Sequence, residues 1–147
     1  MMIRPALSSD TQAISALING LAHHFMLDPS GLGAERFLQS IAPSAIHGYI
    51  TAPNFRCLVA MDGPDIVGVA SLRDGTHLFH LFVATSHQHR GIARRLWDAL
   101  KCEAPGHVAH FTVNSSPNAV SVYERFGFSC TGPRTELNGI AFFPMKA

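Results

Sequence analysis

The sequence has few charged residues and almost no excess of one sign. Asp, Glu, Lys and Arg make up 14% of the 147 residues, and 11 Lys and Arg stand against 10 Asp and Glu. Modules that bind nucleic acids usually carry a clear basic excess. The charge balance therefore argues against nucleic acid as a partner.

Long apolar runs and a recognisable leader are also lacking. No run approaches the roughly 18 apolar residues that a transmembrane helix needs. The opening residues, MMIRPALSSD, lack a basic stretch followed by an apolar one. We therefore expect no membrane partner and a cytoplasmic location. The hydrophobic fraction is 47%, as in globular chains, and the length suits a single domain over residues 1–147.

Cysteine is scarce and unpatterned. Cys57, Cys102 and Cys130 are widely spaced and form no C-x-x-C pair. This spacing is typical of reduced, partly buried thiols and not of a disulfide framework. We assign none of them as an activated nucleophile.

Histidine, by contrast, is frequent, with nine residues. The pairs His77/His80 and His107/His110 have ligand-like spacing for a helix, but both fall in predicted strands. Residues three apart on a strand face opposite sides of the sheet and cannot bind one ion. We therefore predict no metal site.

Hydrophobic periodicity changes along the chain. Helical spacing covers Thr11–Phe25 and residues 37–41, where Pro43 ends it. Strand patterns follow from residue 57 to residue 83, and after them helices and strands alternate. The predicted strands cover residues 3–6, 57–61, 66–72, 76–83, 108–113, 128–131 and 140–145, and two later helices run from Ile92 to before Pro105 and from Ser116 to Gly127. This order predicts an α/β (α+β) fold with one mixed sheet.

A polar loop joins the strand ending at Val83 to the helix beginning near Ile92. The free N–H groups and the dipole of such a helix start form a site for phosphate. Gly91 lets the backbone approach an anion, and Ala93 keeps the next turn bare. No P-loop pattern is present, and the loop has only one glycine, which excludes the dinucleotide fingerprint. An ordinary strand–loop–helix joint is the alternative.

Two motifs together carry a family resemblance. Gln88-x-x-Gly91-x-Ala93 after a Leu-x-Val strand resembles the pattern [RQ]-x-x-G-x-[GA] of the GNAT superfamily of acetyl-CoA-dependent N-acetyltransferases. Residues 113–128 are similar to that family's second signature, Asn-x-x-Ala-x-x-x-Tyr-x-x-x-Gly-Phe. The resemblance spans nearly the whole chain, is weakest over residues 1–55, and implies a mixed central sheet flanked by helices on both faces.

The resemblance implies acetyl-CoA as co-substrate. Backbone N–H groups would hold its pyrophosphate at Gln88, His89, Arg90, Gly91, Ile92 and Ala93. The strand residues Leu81, Phe82 and Val83 would pair with the pantetheine arm. An N–H near Phe82 or Val83 would polarise the thioester carbonyl. Asn118 would form a hydrogen bond with the pantetheine.

Two side chains are candidates for proton transfer. The resemblance implies that Tyr123 protonates the departing thiolate, with a packed aromatic side chain as the alternative. Many relatives use a glutamate as general base on the strand that here carries His80, and this strand has no carboxylate. A histidine has a suitable pKa to accept a proton directly or through water. Otherwise, His80 is packed or lines the pocket, and water collects the proton.

The resemblance thus implies transfer of an acetyl group to a primary amine of a small molecule or peptide. The amine would attack directly in a ternary complex, with no covalent enzyme intermediate and no metal. The alternative is a non-catalytic acyl-CoA-binding regulatory domain on the same fold. Tyr123 distinguishes the two, because a binding module needs no acid for a leaving group. A homodimer is left open.

Overall fold

The computed structural model describes all 147 residues, which fold around one eight-stranded sheet. Its strands are β1 (Met2–Pro5), β2 (Phe55–Asp62), β3 (Asp65–Arg73), β4 (His77–Val83), β5 (Thr112–Ser115), β6 (Ser129–Cys130), β7 (Thr135–Leu137) and β8 (Ile140–Lys146). The helices are α1 (Thr11–Asn19), α2 (Glu35–Ser40), α3 (Pro43–Thr51), α4 (Ile92–Glu103) and α5 (Val120–Arg125). Short 3-10 helices cover Ser8–Asp10, Ala22–His24 and Thr85–His87. None of the helices has the length and apolar character needed to cross a bilayer.

The strands lie in the order β1-β2-β3-β4-β5-β8-β6, and β7 pairs with β8. Every neighbouring pair is antiparallel except β4 and β5. A parallel pair needs a long crossover connection, which α4 supplies. The predicted mixed sheet is therefore confirmed.

Apolar side chains cover both faces of this sheet. Helix α4 places Leu96 and Trp97 in the larger core cluster, while α1 and α3 place Ile14 and Ile46 in the smaller one on the opposite face. Gly68 on β3 permits a close approach of α4, since a Cβ there would lie 3.0 Å from Leu96. The prediction of helices on both faces is confirmed, and α4 is held tightly against the sheet.

Strands β4 and β5 separate soon after they meet. Their register contains only two positions, His77 with Thr112 and Leu78 with Val113. Beyond Leu78 the edge of β4 that faces β5 has no strand partner. The two strands therefore enclose a wedge-shaped gap, called here the β4–β5 gap.

A β-bulge lies at the start of this gap. Ser71 of β3 is opposite His80, and Leu72 is opposite Leu78, so Phe79 has no partner in the register. Bulges bend a strand and redirect its side chains, and they are frequent beside active sites. Here the rings of Phe79 and His80 both pack against Tyr49, with ring centres 5.0 Å and 5.7 Å from that of the tyrosine.

The segment after the 3-10 helix Ala22–His24 is attached to β8. The Leu27 N–H donates to the Gly139 carbonyl at 3.0 Å, and the Ala141 N–H donates to the Phe25 carbonyl at 2.8 Å. These bonds hold one wall of the β4–β5 gap against the far part of the sheet.

One predicted helix boundary was wrong, and one helix was not predicted. The predicted helix Thr11–Phe25 ends at Asn19, because Gly20 weakens helical continuation. Pro43 ends the helical spacing of residues 37–41, as predicted, but it also begins α3, which was not predicted. Proline is well tolerated in the first turn of a helix, where its missing N–H would have no partner.

The strands differ from prediction at two places. The strand expected at 108–113 begins only at Thr112, since a turn joins the Val108 N–H to the Pro105 carbonyl. Strand β7 was not predicted, although Asn138-Gly139 is a strong signal for a hairpin. Both residues have positive φ, 52° and 77°, as that turn requires.

Candidate active site

A pocket of about 110 Å³ occupies the β4–β5 gap. Strand β4 provides one wall, and β5 with the start of α5 provides the other. The segment between α1 and α2 closes one end. The lining residues are Leu21, His24, Phe25, Leu78, Phe79, Leu81, Phe82, Val83, Gln88, Val113, Asn114, Ser116, Asn118, Ala119 and Tyr123.

The edge of β4 presents free backbone groups to this pocket. The Ala84 N–H donates to the Val67 carbonyl of β3 at 2.8 Å. Because successive residues of a strand direct their backbone N–H and C=O groups to opposite sides, those of Leu81 and Val83 face the gap. The Val83 carbonyl accepts a hydrogen bond from Gln88 Nε2 at 3.0 Å, which agrees with this direction. The N–H of Phe82 faces β3. Of the two predicted positions for the polarising N–H, Val83 therefore faces the gap and Phe82 does not.

The loop before α4 presents unpaired N–H groups. His89, Arg90 and Gly91 donate no hydrogen bond to backbone or side chain. The first three N–H groups of α4 have no partner within the helix, and the first one that does belongs to Arg95, which donates to Gly91 at 3.1 Å. His89 and Gly91 have positive φ, 62° and 78°. The backbone is thus shaped to point consecutive donors outward, at the positive end of the α4 dipole.

A groove continues from the pocket to this loop, and the residues that line both are Leu81, Val83, Gln88, Asn118, Ala119 and Tyr123. The predicted residues His89, Gly91, Ile92 and Ala93 line the groove only. Arg90 is exposed and lines neither the groove nor the pocket, so only its backbone belongs to the loop surface.

The amide of Asn118 is oriented by its neighbour. Ser116 donates its hydroxyl hydrogen to Asn118 Oδ1 at 2.6 Å. The oxygen is therefore engaged, and the NH₂ group is left for a partner in the groove.

Tyr123 lies where pocket and groove meet. Its side chain is 7% exposed and packs edge-on against Phe126 and Phe128, with ring centres 6.3 Å and 5.7 Å away. The hydroxyl has no hydrogen-bond partner within the protein. Burial raises the pKa of this phenol, so it is protonated at neutral pH.

Comparison with known proteins identifies the family. A family model described as an acetyltransferase (GNAT) domain matches residues 25–147. The chain belongs to the GNAT acetyltransferase family. The resemblance inferred from the two motifs is thereby confirmed. No curated protein sequence matches the chain.

Solved structures of GNAT proteins have the same fold. A GCN5-related N-acetyltransferase from Rhodopseudomonas palustris superposes with a TM-score of 0.80 at 22% identity, over 99% of this chain and 93% of that one. The PaiA N-acetyltransferase of Thermoplasma acidophilum, in complex with coenzyme A, gives 0.74 at 14%, over 99% and 96%. An aminoglycoside 6′-N-acetyltransferase, complexed with coenzyme A, gives 0.67 at 15%, over 100% and 96%.

His80 is buried in this GNAT chain and does not line the pocket. It is 8% exposed and is surrounded by the rings of Tyr49, Phe79 and Phe82, with centres at 5.7, 4.5 and 5.8 Å. Burial lowers the pKa of this imidazole to about 3. The side chain is therefore neutral at physiological pH and a weak proton acceptor. Its predicted role as general base stays a prediction.

The sequence analysis missed His24, which lines the pocket with Tyr123. These two are the only titratable side chains in the lining. Burial and the neighbouring His23 lower the pKa of His24 below its ordinary value, which keeps the imidazole neutral at pH 7. No local motif marks this residue, because its position depends on the attachment of its segment to β8.

Neither a metal cluster nor an activated thiol accompanies the site. No group of three His, Cys, Asp or Glu side chains is placed to bind a metal ion. All three cysteines are free, and none lines the pocket. Burial raises the pKa of the Cys57 thiol to about 11, so it is not a thiolate at neutral pH.

Proposed function

We propose that the protein transfers an acetyl group from acetyl-CoA to a primary amine by direct attack within a ternary complex. The observation that carries this proposal is the series of unpaired N–H groups at the start of α4, next to a pocket that Tyr123 lines. The two coenzyme A complexes among proteins of the same fold support the choice of co-substrate. The aminoglycoside enzyme among them is an example of this fold with a small-molecule acceptor, which supports a small molecule, though not an aminoglycoside itself, as acceptor here.

The chain's own groups can hold such a co-substrate along its length. The N–H groups from His89 to Ala93 would bind the pyrophosphate, as helix starts do for other phosphates, whereas the Gln88 N–H already donates to the Thr85 carbonyl at 3.5 Å. The free backbone edge at Leu81 and Val83 would pair with the pantetheine amides, as a sheet edge pairs with an added strand. The Asn118 NH₂ group would donate to a pantetheine carbonyl. The thioester would then lie in the pocket beside Tyr123.

The chemistry needs a donor for the developing oxyanion and an acid for the leaving thiolate. The N–H groups of Leu81 and Val83 face the gap and would donate to the thioester oxygen. The amine nitrogen bonds to the carbonyl carbon, the C–S bond breaks, and the thiolate takes the Tyr123 proton. A phenol with pKa above 10 is a weaker acid than a thiol near 8.5, so positioning contributes more than acid strength. Solvent then reprotonates the tyrosinate.

The amine must also lose protons, and His24 is better suited to accept one than His80. His24 lines the pocket, whereas His80 lies behind Phe79 and Phe82. Burial and His23 lower the pKa of His24 below 6.5, so the imidazole is neutral at pH 7 and has a free nitrogen lone pair to accept a proton. We propose it as the general base, in place of His80.

The first prediction compares the two histidines. His24→Gln should lower kcat/KM by about 10²–10⁴-fold, the usual contribution of general base catalysis. His80→Gln removes an imidazole that does not reach the pocket, so it should change mainly the melting temperature. Steady-state kinetics under conditions where chemistry limits the rate would measure both. The assignment fails if the two variants lose activity equally.

The pH profile gives a second readout for His24. A base works only when deprotonated, so wild-type kcat/KM should fall as the pH decreases through the His24 pKa, below 6.5. In His24→Gln this acidic limb should be absent. An unchanged limb would assign the proton transfer to another group.

The test of the function itself is release of free thiol from acetyl-CoA on addition of an amine, with the acetylated amine identified by mass spectrometry. An enzyme gives amine-dependent turnover. The alternative, a regulatory acyl-CoA-binding domain, binds acetyl-CoA in calorimetry but releases no thiol with any amine. The cytoplasmic location, the single domain and a homodimer stay predictions.

A further inference from the structure

The lining of the acceptor end of the pocket has no charged side chain. This end is formed by Leu21, His24 and Phe25 from the segment after α1 and by Phe79 and Phe82 from β4. Among all fifteen lining residues there is no Asp, Glu, Lys or Arg, and ten are hydrophobic. Of the two titratable side chains, Tyr123 is protonated at neutral pH and His24 is neutral. An ammonium group entering this end therefore meets no negative charge.

The charge next to this wall is already paired. The Arg73 guanidinium lies 5.3 Å from the ring centre of Phe79, and its Nε lies 3.8 Å from Asp74 Oδ2. A second ammonium on an acceptor would be desolvated without a carboxylate partner in the lining. Burial of an unpaired charge is strongly unfavourable, even in a partly hydrated pocket.

The aromatic rings define what this end accepts instead. Phe25 and Phe82 lie with ring centres 6.2 Å apart and planes inclined by 52°. Ring faces and edges at this spacing pack against a further ring or an alkyl chain. They also attract one ammonium through the ring quadrupole before its proton is removed.

We propose that the acceptor is an amine with an apolar, preferably ring-bearing body and no second cationic group. Polyamines, lysine-rich peptides and aminoglycosides are then poor acceptors. This inference rests on the proposed acetyl transfer and narrows it to a substrate class.

Matched amines test the proposal directly. Hexylamine and 1,6-diaminohexane have the same chain length and differ in the second amine, and 2-phenylethylamine adds a ring. With acetyl-CoA saturating, kcat/KM for both monoamines should exceed that for the diamine at least tenfold. Equal values, or a higher value for the diamine, would overturn the proposal.

A matched pair of variants tests the electrostatic cause. Phe25 is half-buried and lines the acceptor end. Phe25→Glu and Phe25→Gln remove the same apolar surface, but only Glu provides a partner for a second ammonium. The ratio of diamine to hexylamine kcat/KM should be about tenfold higher in Phe25→Glu than in Phe25→Gln. The same ratio in both variants contradicts the assignment of charge as the cause.

Binding measurements separate this inference from the proposed function. The same amines can be titrated into the protein saturated with CoA, which has no acetyl group to transfer. Tighter binding of hexylamine without turnover of any amine with acetyl-CoA would overturn acetyl transfer and support the pocket preference. Equal binding of monoamine and diamine would overturn the preference, whatever the turnover.

Discussion

Gly91→Glu is expected to raise the Kd for acetyl-CoA by more than about 100-fold. The new carboxylate would lie among the N–H groups that are proposed to bind the pyrophosphate. Like charges about 4 Å apart repel by roughly 4 kcal/mol at a surface-like effective dielectric, which exceeds the free energy of a hundredfold loss. The fold should survive, because nothing lies within 4 Å of a Cβ at this position.

Two controls separate repulsion from backbone strain. Gly91 has φ 78°, so any side chain there is strained by about 1–2 kcal/mol. Gly91→Ala introduces this strain without charge and should bind acetyl-CoA with a much smaller loss. Gly33 has a comparable φ of 85° and open space around a Cβ, but it lies away from the loop. The affinity of Gly33→Glu for acetyl-CoA should therefore equal that of wild type. Calorimetry giving unchanged affinity in folded Gly91→Glu would remove this loop from the CoA site.

Tyr123→Phe is expected to lower kcat by about 10²–10⁴-fold while the Kd for acetyl-CoA stays unchanged. The substitution removes one hydroxyl that has no partner within the protein, and the ring keeps its contacts with Phe126 and Phe128. The leaving thiolate must then take its proton from water. A slow acceptor amine should be used, so that chemistry and not product release limits the rate.

The chain's only other tyrosine provides the matched control. Tyr49 donates its hydroxyl hydrogen to the Ser40 carbonyl at 2.9 Å and does not line the pocket. Tyr49→Phe should lower the free energy of unfolding by about 1 kcal/mol and leave kcat unchanged. Equal turnover in Tyr123→Phe and wild type would exclude Tyr123 as the acid, and a loss of stability alone would make it a packed aromatic residue.

The parts of the site that depend on local geometry could be predicted from the sequence. The polar loop ending in Gly91 predicted the free N–H groups at the start of α4, because a strand, a loop and a helix in succession determine where these groups lie. Tyr123 followed from its spacing within the second motif. The strand and helix order likewise predicted the mixed sheet, since alternating and helical periods are local properties.

What depended on tertiary contacts could not be predicted. The burial of His80 follows from the bulge at Phe79, which changes the face that the strand presents and leaves no mark in the hydrophobic pattern. His24 reaches the pocket because Phe25 and Leu27 pair with a strand more than a hundred residues later. Pro43 marks both the end of one helical segment and the first residue of α3, and the hydrophobic spacing predicts only the first of these.

The attachment of residues 25–27 to β8 has a consequence for local unfolding. The Leu27 and Ala141 N–H groups donate the hydrogen bonds that join these two distant segments. A local unfolding event that widens the pocket for a bulky acceptor would therefore break both bonds together. Their amide hydrogens should therefore exchange with solvent deuterium in one correlated event, slower than the amide of Ser30, which donates only to the exposed side chain of Asp28. An acceptor that fills the pocket should slow both amides to the same extent, whereas CoA alone, bound at the other end, should leave their exchange unchanged.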